Sequence, residues 1–144
     1  MLEFEYHSEK HVVLNDVVLS KHIFGSSVDL RVTIEDEGTY TIRGDGVVIA
    51  TPTGSTAYNY SAGGPIMMES CDSIVITPVC AHHGTTRSLV VRGDKALKFS
   101  ERDNQAMIFA DGNEIGFIEG EILIKRSNEV LGLYITDDMM GKIQ

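Results

Sequence analysis

The chain of 144 residues contains no tryptophan, three prolines and two cysteines. Cys71 and Cys80 show no CxxC or Cys/His ligand spacing, so neither a disulfide framework nor a zinc site is indicated. Both are read as packed thiols, and the adjacent His82-His83 pair is too small a ligand set for a metal. Basic residues are also scarce. Twelve Lys and Arg face 21 Asp and Glu, a formal net charge of −9. That balance argues against nucleic acid or an anionic membrane as the main partner. No apolar run approaches the ~18 residues that cross a bilayer. The opening MLEFEYHSEK is charged and lacks the apolar stretch of a secretory signal. A soluble, cytoplasmic protein is expected.

What is present is a period of two. Val28, Leu30, Val32 and Ile34 alternate with Asp29, Arg31, Thr33 and Glu35, the pattern of a half-buried strand. Glu35–Gly38 is a polar turn, and Thr39–Arg43 the returning strand. Further short strands are expected at Val47–Thr51, Ile74–Thr77, Arg87–Val91, Ala96–Phe99, Met107–Ala110 and Glu121–Arg126, with Gly93-Asp94 and Asp111-Gly112 as turns. His11–Ser20 holds two apolar triplets split by Asn15-Asp16, which reads either as a bulge or turn or as a functional pair. The expected fold is all-β: one domain over residues 1–144, a β-sandwich of many short strands with one short helix. No βαβ alternation is present, which excludes a Rossmann unit. Thr136–Gln144 show no period and are expected to fray or to await a partner. The basic run Arg87, Arg92, Lys95, Lys98 and Arg102 reads either as a solvated surface around a loop or as a run that faces a phosphate.

One segment carries chemistry: Gly44-Asp45-Gly46, a short strand, then Thr51-Pro52-Thr53-Gly54-Ser55-Thr56-Ala57-Tyr58-Asn59-Tyr60-Ser61-Ala62-Gly63-Gly64-Pro65. Five hydroxyl side chains of Ser and Thr fall between Thr51 and Ser61, with Gly54 among them. Ser55 or Thr56 is expected to cap a helix through Ala57–Tyr60 that Gly63-Gly64-Pro65 ends. Hydroxyls, free N–H groups and a helix end suit phosphate or ribose. They also suit an ordinary capped loop. The segment is not a Walker A motif and not a nucleophile elbow.

The block GDG, short strand, TPTGSTAY and SAGGP closely resembles the one that marks NAD kinases. The likeness extends to Asn15-Asp16, Thr77-Pro78, Arg87 and Asp111-Gly112, spanning roughly residues 11 to 126. It implies the C-terminal, β-sandwich domain of an enzyme that moves a phosphoryl group from ATP or polyphosphate, with a divalent metal, to the 2′-hydroxyl of the adenosine ribose of NAD. By that resemblance Asn15 and Asp16 contact the adenine-ribose part. Thr53, Thr56 and Ala57 line the adenine site, and Tyr58 packs against the dinucleotide. Ser61 and Asp111 lie near the nicotinamide riboside. Asp45 reaches the dinucleotide of a neighbouring subunit, which implies a homo-oligomer, a dimer or tetramer. Without the resemblance, Tyr58 also reads as a core aromatic and Asp45 as part of a Gly-Asp-Gly hairpin turn.

The family's catalytic base sits in a GGDGT motif on an N-terminal α/β domain, and this sequence contains no GGDGT. Gly44-Asp45-Gly46 corresponds to the family's second GDG, so no catalytic residue is assigned. The expectation is the NAD-binding half of such an enzyme, which alone binds NAD weakly or not at all and does not turn over, with an apolar face that the missing domain would cover. The alternative is a non-catalytic NAD(H)- or NADP(H)-binding or oligomerisation module.

Overall fold

The computed structural model describes residues 1–129; Thr136–Gln144 lie outside them. Thirteen strands among the described residues form two antiparallel sheets. The first runs β2 (Glu9–Val13), β1 (Leu2–Tyr6), β13 (Glu121–Arg126), β10 (Leu97–Glu101), β4 (Val28–Ile34), β5 (Gly38–Gly44) and β8 (His83–Gly84). The second runs β12 (Asn113–Phe117), β11 (Met107–Ala110), β3 (Asp16–Ser20), β6 (Gly46–Ala50), β7 (Ser73–Val79) and β9 (Leu89–Arg92). The inward faces meet in one core, in which Phe4, Leu30, Ile42 and Phe99 of the first sheet join Leu19, Ile49, Ile76 and Ile108 of the second. The expected β-sandwich is what forms.

The period-two signal does the positioning. On β4, Val28, Leu30, Val32 and Ile34 are all buried in the core, while Arg31 and Thr33 face out. β11 and β13 have the expected bounds. β1, β8 and β12 are additional to the expected strands. β1 carries the same alternation as β4, with Leu2 and Phe4 inside. The polar pair of Asn15-Asp16 is neither a bulge nor a flaw in one strand. The chain leaves the first sheet after Val13 and enters the second at Asp16, so the two apolar triplets belong to different sheets. Gly44-Asp45-Gly46 is likewise no hairpin turn: β5 and β6 lie in different sheets, and the segment is the crossing between them. A Cβ on Gly44 would strike the backbone of Val79, Cys80 and Ala81, and one on Gly46 the backbone of Leu19. Both glycines are dictated by close backbone approach.

The second sheet is covered on both faces. Val47 and Ile49 of β6 enter the main core, while Val48 and Ala50 point outward to a second apolar cluster with Val18, Met67 and Val75. The segment from Thr51 to Met68 lies over that outer face. Cys71 and Cys80, expected as packed thiols, are exposed. Cys71 precedes β7 and Cys80 follows it, with φ of 50°, so both belong to connections rather than to the core.

Phe99→Ala should cost about 3–5 kcal/mol in urea unfolding, the usual consequence of emptying a closed core site. Leu123→Ala, on the opposite face of the same sheet and 45% exposed, should cost no more than about 0.5 kcal/mol. Equal losses at the two sites would contradict this orientation of the first sheet.

Candidate functional site

The site begins with an unusual use of a carboxylate. Asp111-Gly112 joins β11 to β12 as a two-residue loop, with φ of 47° and 82°. Positive φ at both positions is the primed hairpin geometry that Asp-Gly favours. The turn aims Asp111 back at the crossing between β2 and β3. Its Oδ2 accepts the N–H of Leu14 at 2.8 Å, and its Oδ1 accepts those of Asn15 at 2.8 Å and Asp16 at 3.1 Å. The Asp111 N–H donates in return to the Asp16 carbonyl at 3.0 Å. Charge-assisted bonds of this kind are stronger than neutral ones. They fix Leu14 and Asn15, which no ladder holds, and the first residue of β3.

The Thr51–Pro65 block is fastened to the same crossing. The Thr51 hydroxyl donates to the Leu14 carbonyl at 2.7 Å and accepts the Gly54 N–H at 3.0 Å. Gly54 lies so close to the Asn15 backbone that a Cβ would overlap it. The Ser55 hydroxyl donates to the Pro52 carbonyl at 2.7 Å and accepts the Met67 N–H at 2.9 Å. Asn59 is fully buried. Its amide donates to the carbonyls of Ser55 at 2.9 Å and Pro65 at 3.0 Å, and its Oδ1 accepts the Thr77 hydroxyl at 2.6 Å. Half of what looks like a ligand-binding motif is therefore internal scaffolding.

The expected capped helix takes a different form. A 3₁₀ turn at Thr53–Thr56 is followed by one α-turn at Tyr58–Ser61, whose N-cap is Ala57 with no side-chain cap. Ser55 cannot cap because its hydroxyl is committed to Pro52 and Met67. A single turn also carries little of the dipole that a phosphate site draws on. The expected stop is in place: Gly63, with φ of 87°, and Gly64 donate to the carbonyls of Tyr60 and Asn59.

These elements border a cleft of about 450 Å³ on the outer face of the second sheet. Asn15, Asp16, Ala57, Tyr58 and Asp111 line it, together with Val18, Ser20, Phe109 and Gly112. Five of the expected residues thus converge. Asp45 lines a side arm of about 250 Å³, which shares Val18, Ser20 and Tyr58 with the cleft. Tyr58 is 44% exposed, so it is a wall of the cleft and not a core aromatic. Thr53 faces a polar hollow on the other side of the loop and donates to Glu69 at 3.0 Å. Thr56 and Ser61 are exposed and do not line the cleft. The basic run lies elsewhere, with Arg92 paired to Asp94 at 2.6 Å and Lys98 to Glu121 at 3.8 Å.

Val18 and Ser20 were not among the expected residues, and the signal that finds them is period two, which places them on the face that carries Asp16. Phe109 has no such signal. It reaches the cleft because it pairs with Val18 across β11 and β3.

Asp16 is 6% exposed. Burial, and secondarily the neighbouring charge of Asp111, raise its carboxyl above the usual aspartate value. The folded state then binds this proton more tightly than the unfolded chain does. Its contribution is full below the ordinary aspartate value and is lost as pH rises through the raised folded one. Asp16→Asn should therefore unfold at a higher temperature than the wild type at neutral pH, and the gain should vanish at acid pH. No gain at neutral pH would contradict it.

With this geometry in view, the comparisons with known proteins are specific. The profile of the ATP-NAD kinase C-terminal domain matches residues 14–129. The NAD kinase of Caldanaerobacter subterraneus subsp. tengcongensis is 40% identical over 124 residues, covering 83% of this chain and 44% of the relative. That of Magnetococcus marinus is 37% identical over 132 residues, covering 89% and 44%. The chain thus spans a little under half the length of these curated relatives. Among solved structures, yeast NADH kinase complexed with NADH superposes with a TM-score of 0.76 at 26% identity, over 86% of this chain and 38% of the other. An NAD kinase from Archaeoglobus fulgidus in complex with ATP shares the fold, with a TM-score of 0.76 at 23% identity over 88% of this chain and 51% of the other. By the match across most of its length, the chain belongs to the ATP-NAD kinase C-terminal domain family.

Proposed function

We propose that this chain is the dinucleotide-binding half of an NAD kinase, an enzyme that phosphorylates the 2′-hydroxyl of the adenosine ribose of NAD. The observation that carries this reading is the convergence of Asn15, Asp16, Ala57, Tyr58 and Asp111 on one cleft. The relative crystallised with NADH supports a nicotinamide dinucleotide as the ligand.

Each role follows from the chemistry in place. Tyr58 and Phe109 offer apolar ring faces beside Val18, which suits a base. The Asp16 carboxylate borders the cleft and is the group placed to accept hydrogen bonds from ribose hydroxyls. Asp111 acts at one remove: its oxygens are taken by backbone N–H groups, so it positions Asn15 and Asp16. Thr53, Thr56 and Ser61 do not line this cleft, and their contacts to the dinucleotide rest on the family resemblance alone. Asp45 serves a neighbouring subunit in a homo-oligomer. Ile23 and Phe24, 60% and 99% exposed on the connection just after β3, supply apolar surface for that association.

Phosphoryl transfer also needs a donor, a metal and an oriented acceptor. Among the described residues no three His, Cys, Asp or Glu side chains come together to hold a metal ion. The metal and the ATP or polyphosphate donor would be held by the remainder of the enzyme. Among the described residues no helix is long and apolar enough to cross a membrane. Two exposed free thiols suit a reducing cytoplasm.

Calorimetric titration of NAD and NADP into the 144-residue chain tests the reading. Weak but saturable binding is expected, lowered about tenfold further by Tyr58→Ala or Phe109→Ala, in line with ~1–3 kcal/mol for a base–aromatic contact. No NADP should form when ATP and magnesium are added to this chain alone. Binding without any turnover even beside the other half would favour a non-catalytic module. Absence of heat from either ligand on folded protein would remove the dinucleotide site.

A further inference from the structure

The cleft is electrically lopsided. Asp16 and Asp111 line the main cleft, while the side arm is lined by Lys21, Asp45, Gly46 and Val79 together with the shared Val18, Ser20 and Tyr58. Lys21 is the one cation among the described residues that line either part. It follows directly on β3, the strand whose Asp16, Val18 and Ser20 all border the main cleft. Asp16 and Lys21 lie five strand rises apart, about 16 Å along the backbone, so the carboxylate and the ammonium do not neutralise each other.

Lys21 is held in place twice. Its backbone N–H donates to the Asp45 carbonyl at 2.8 Å, and its Nζ lies 3.1 Å from Asp45 Oδ1. The Lys21 side chain is 23% exposed, and its Nζ also sits 5.6 Å from the centroid of the Phe24 ring. An ammonium has three N–H donors, and Asp45 accounts for one. Asp45 alone would repel an anion from the side arm. Paired with Lys21 it leaves a neutral site with donors to spare.

We propose that Lys21 is a specificity-determining residue that receives a phosphate of a ligand whose base and ribose occupy the main cleft. The proposal rests on reading the cleft as a nucleoside site, and it fixes the direction in which a nucleotide lies. The nucleoside part lies toward the Asp16 end of β3 and the anionic part toward Lys21. Asp45 sets the strength of the interaction by competing for the same ammonium.

The test compares adenosine with adenosine monophosphate by calorimetry on the 144-residue chain. The two probes share a base and ribose and differ only in the phosphate. The monophosphate should bind the wild type about tenfold tighter, a usual size for a charge-assisted hydrogen bond, and the margin should shrink at high salt. Lys21→Gln should bring the monophosphate down to the affinity of adenosine. Lys21→Arg should keep the margin, and Asp45→Asn should widen it. If adenosine binds but the phosphate adds nothing, or if the margin survives in Lys21→Gln, the assignment to Lys21 falls while the cleft stands. If neither probe binds folded protein, the nucleoside reading of the cleft and this assignment fall together.

Discussion

Everything in this site hangs on the carboxylate of Asp111. A chain that passes from one sheet to another must leave its ladder, and at Leu14, Asn15 and Asp16 three successive N–H groups have no strand partner. Left unpaired they would favour a different path. Asp111 satisfies all of them with two oxygens, and Asp111 is itself aimed by a two-residue turn that only a small set of sequences can make. The register of β3, the placement of Asp16 and the seat for the Thr51–Gly54 loop all follow. An anion that looks like a ligand-binding group in the sequence is engaged by the protein's own backbone.

The same division runs through the Thr51–Pro65 block. Thr51, Ser55 and Asn59 point inward and satisfy the carbonyls and N–H groups of a loop that has no regular structure of its own. Buried polar side chains of this kind hold a loop in a single shape, because each lost partner strands another buried group. Gly64 follows from that network, since a Cβ there would overlap the Asn59 side chain. Ala57 and Tyr58 face the cleft. The motif thus combines a ligand surface with the brace that keeps that surface in one conformation.

Much of the fold was legible in the order of apolar and polar residues. Val28–Ile34 is a strand because one face is apolar and the other is not, while Met107–Ala110 and Glu121–Arg126 are short apolar runs bounded by turn residues, and these patterns are local. The crossings at Asn15 and Asp45 were not legible in the same way. A polar pair between apolar triplets looks alike whether the chain bulges within a sheet or changes sheets, and only long-range pairing decides. The helix cap failed for a related reason. Ser55 has the right chemistry for a cap, but the Met67 backbone, twelve residues on, claims its hydroxyl. Phe109 was hidden because its place in the cleft depends on pairing with β3. Resemblance supplied five of the cleft residues, and geometry supplied the rest.

β6 is buried along its whole length, flanked by β3 and β7 and covered above and below. Segments so enclosed open only when the entire domain does, and their amides are the slowest to exchange with solvent. The strand that pairs with β3, whose residues line the cleft, therefore belongs to the part of the molecule that yields last. Ligand capture has to be accommodated by the rim around Tyr58 and the connections at Lys21 and Asp45. The foundation is rigid and the edges are compliant, a division of labour set by which residues the two apolar clusters enclose.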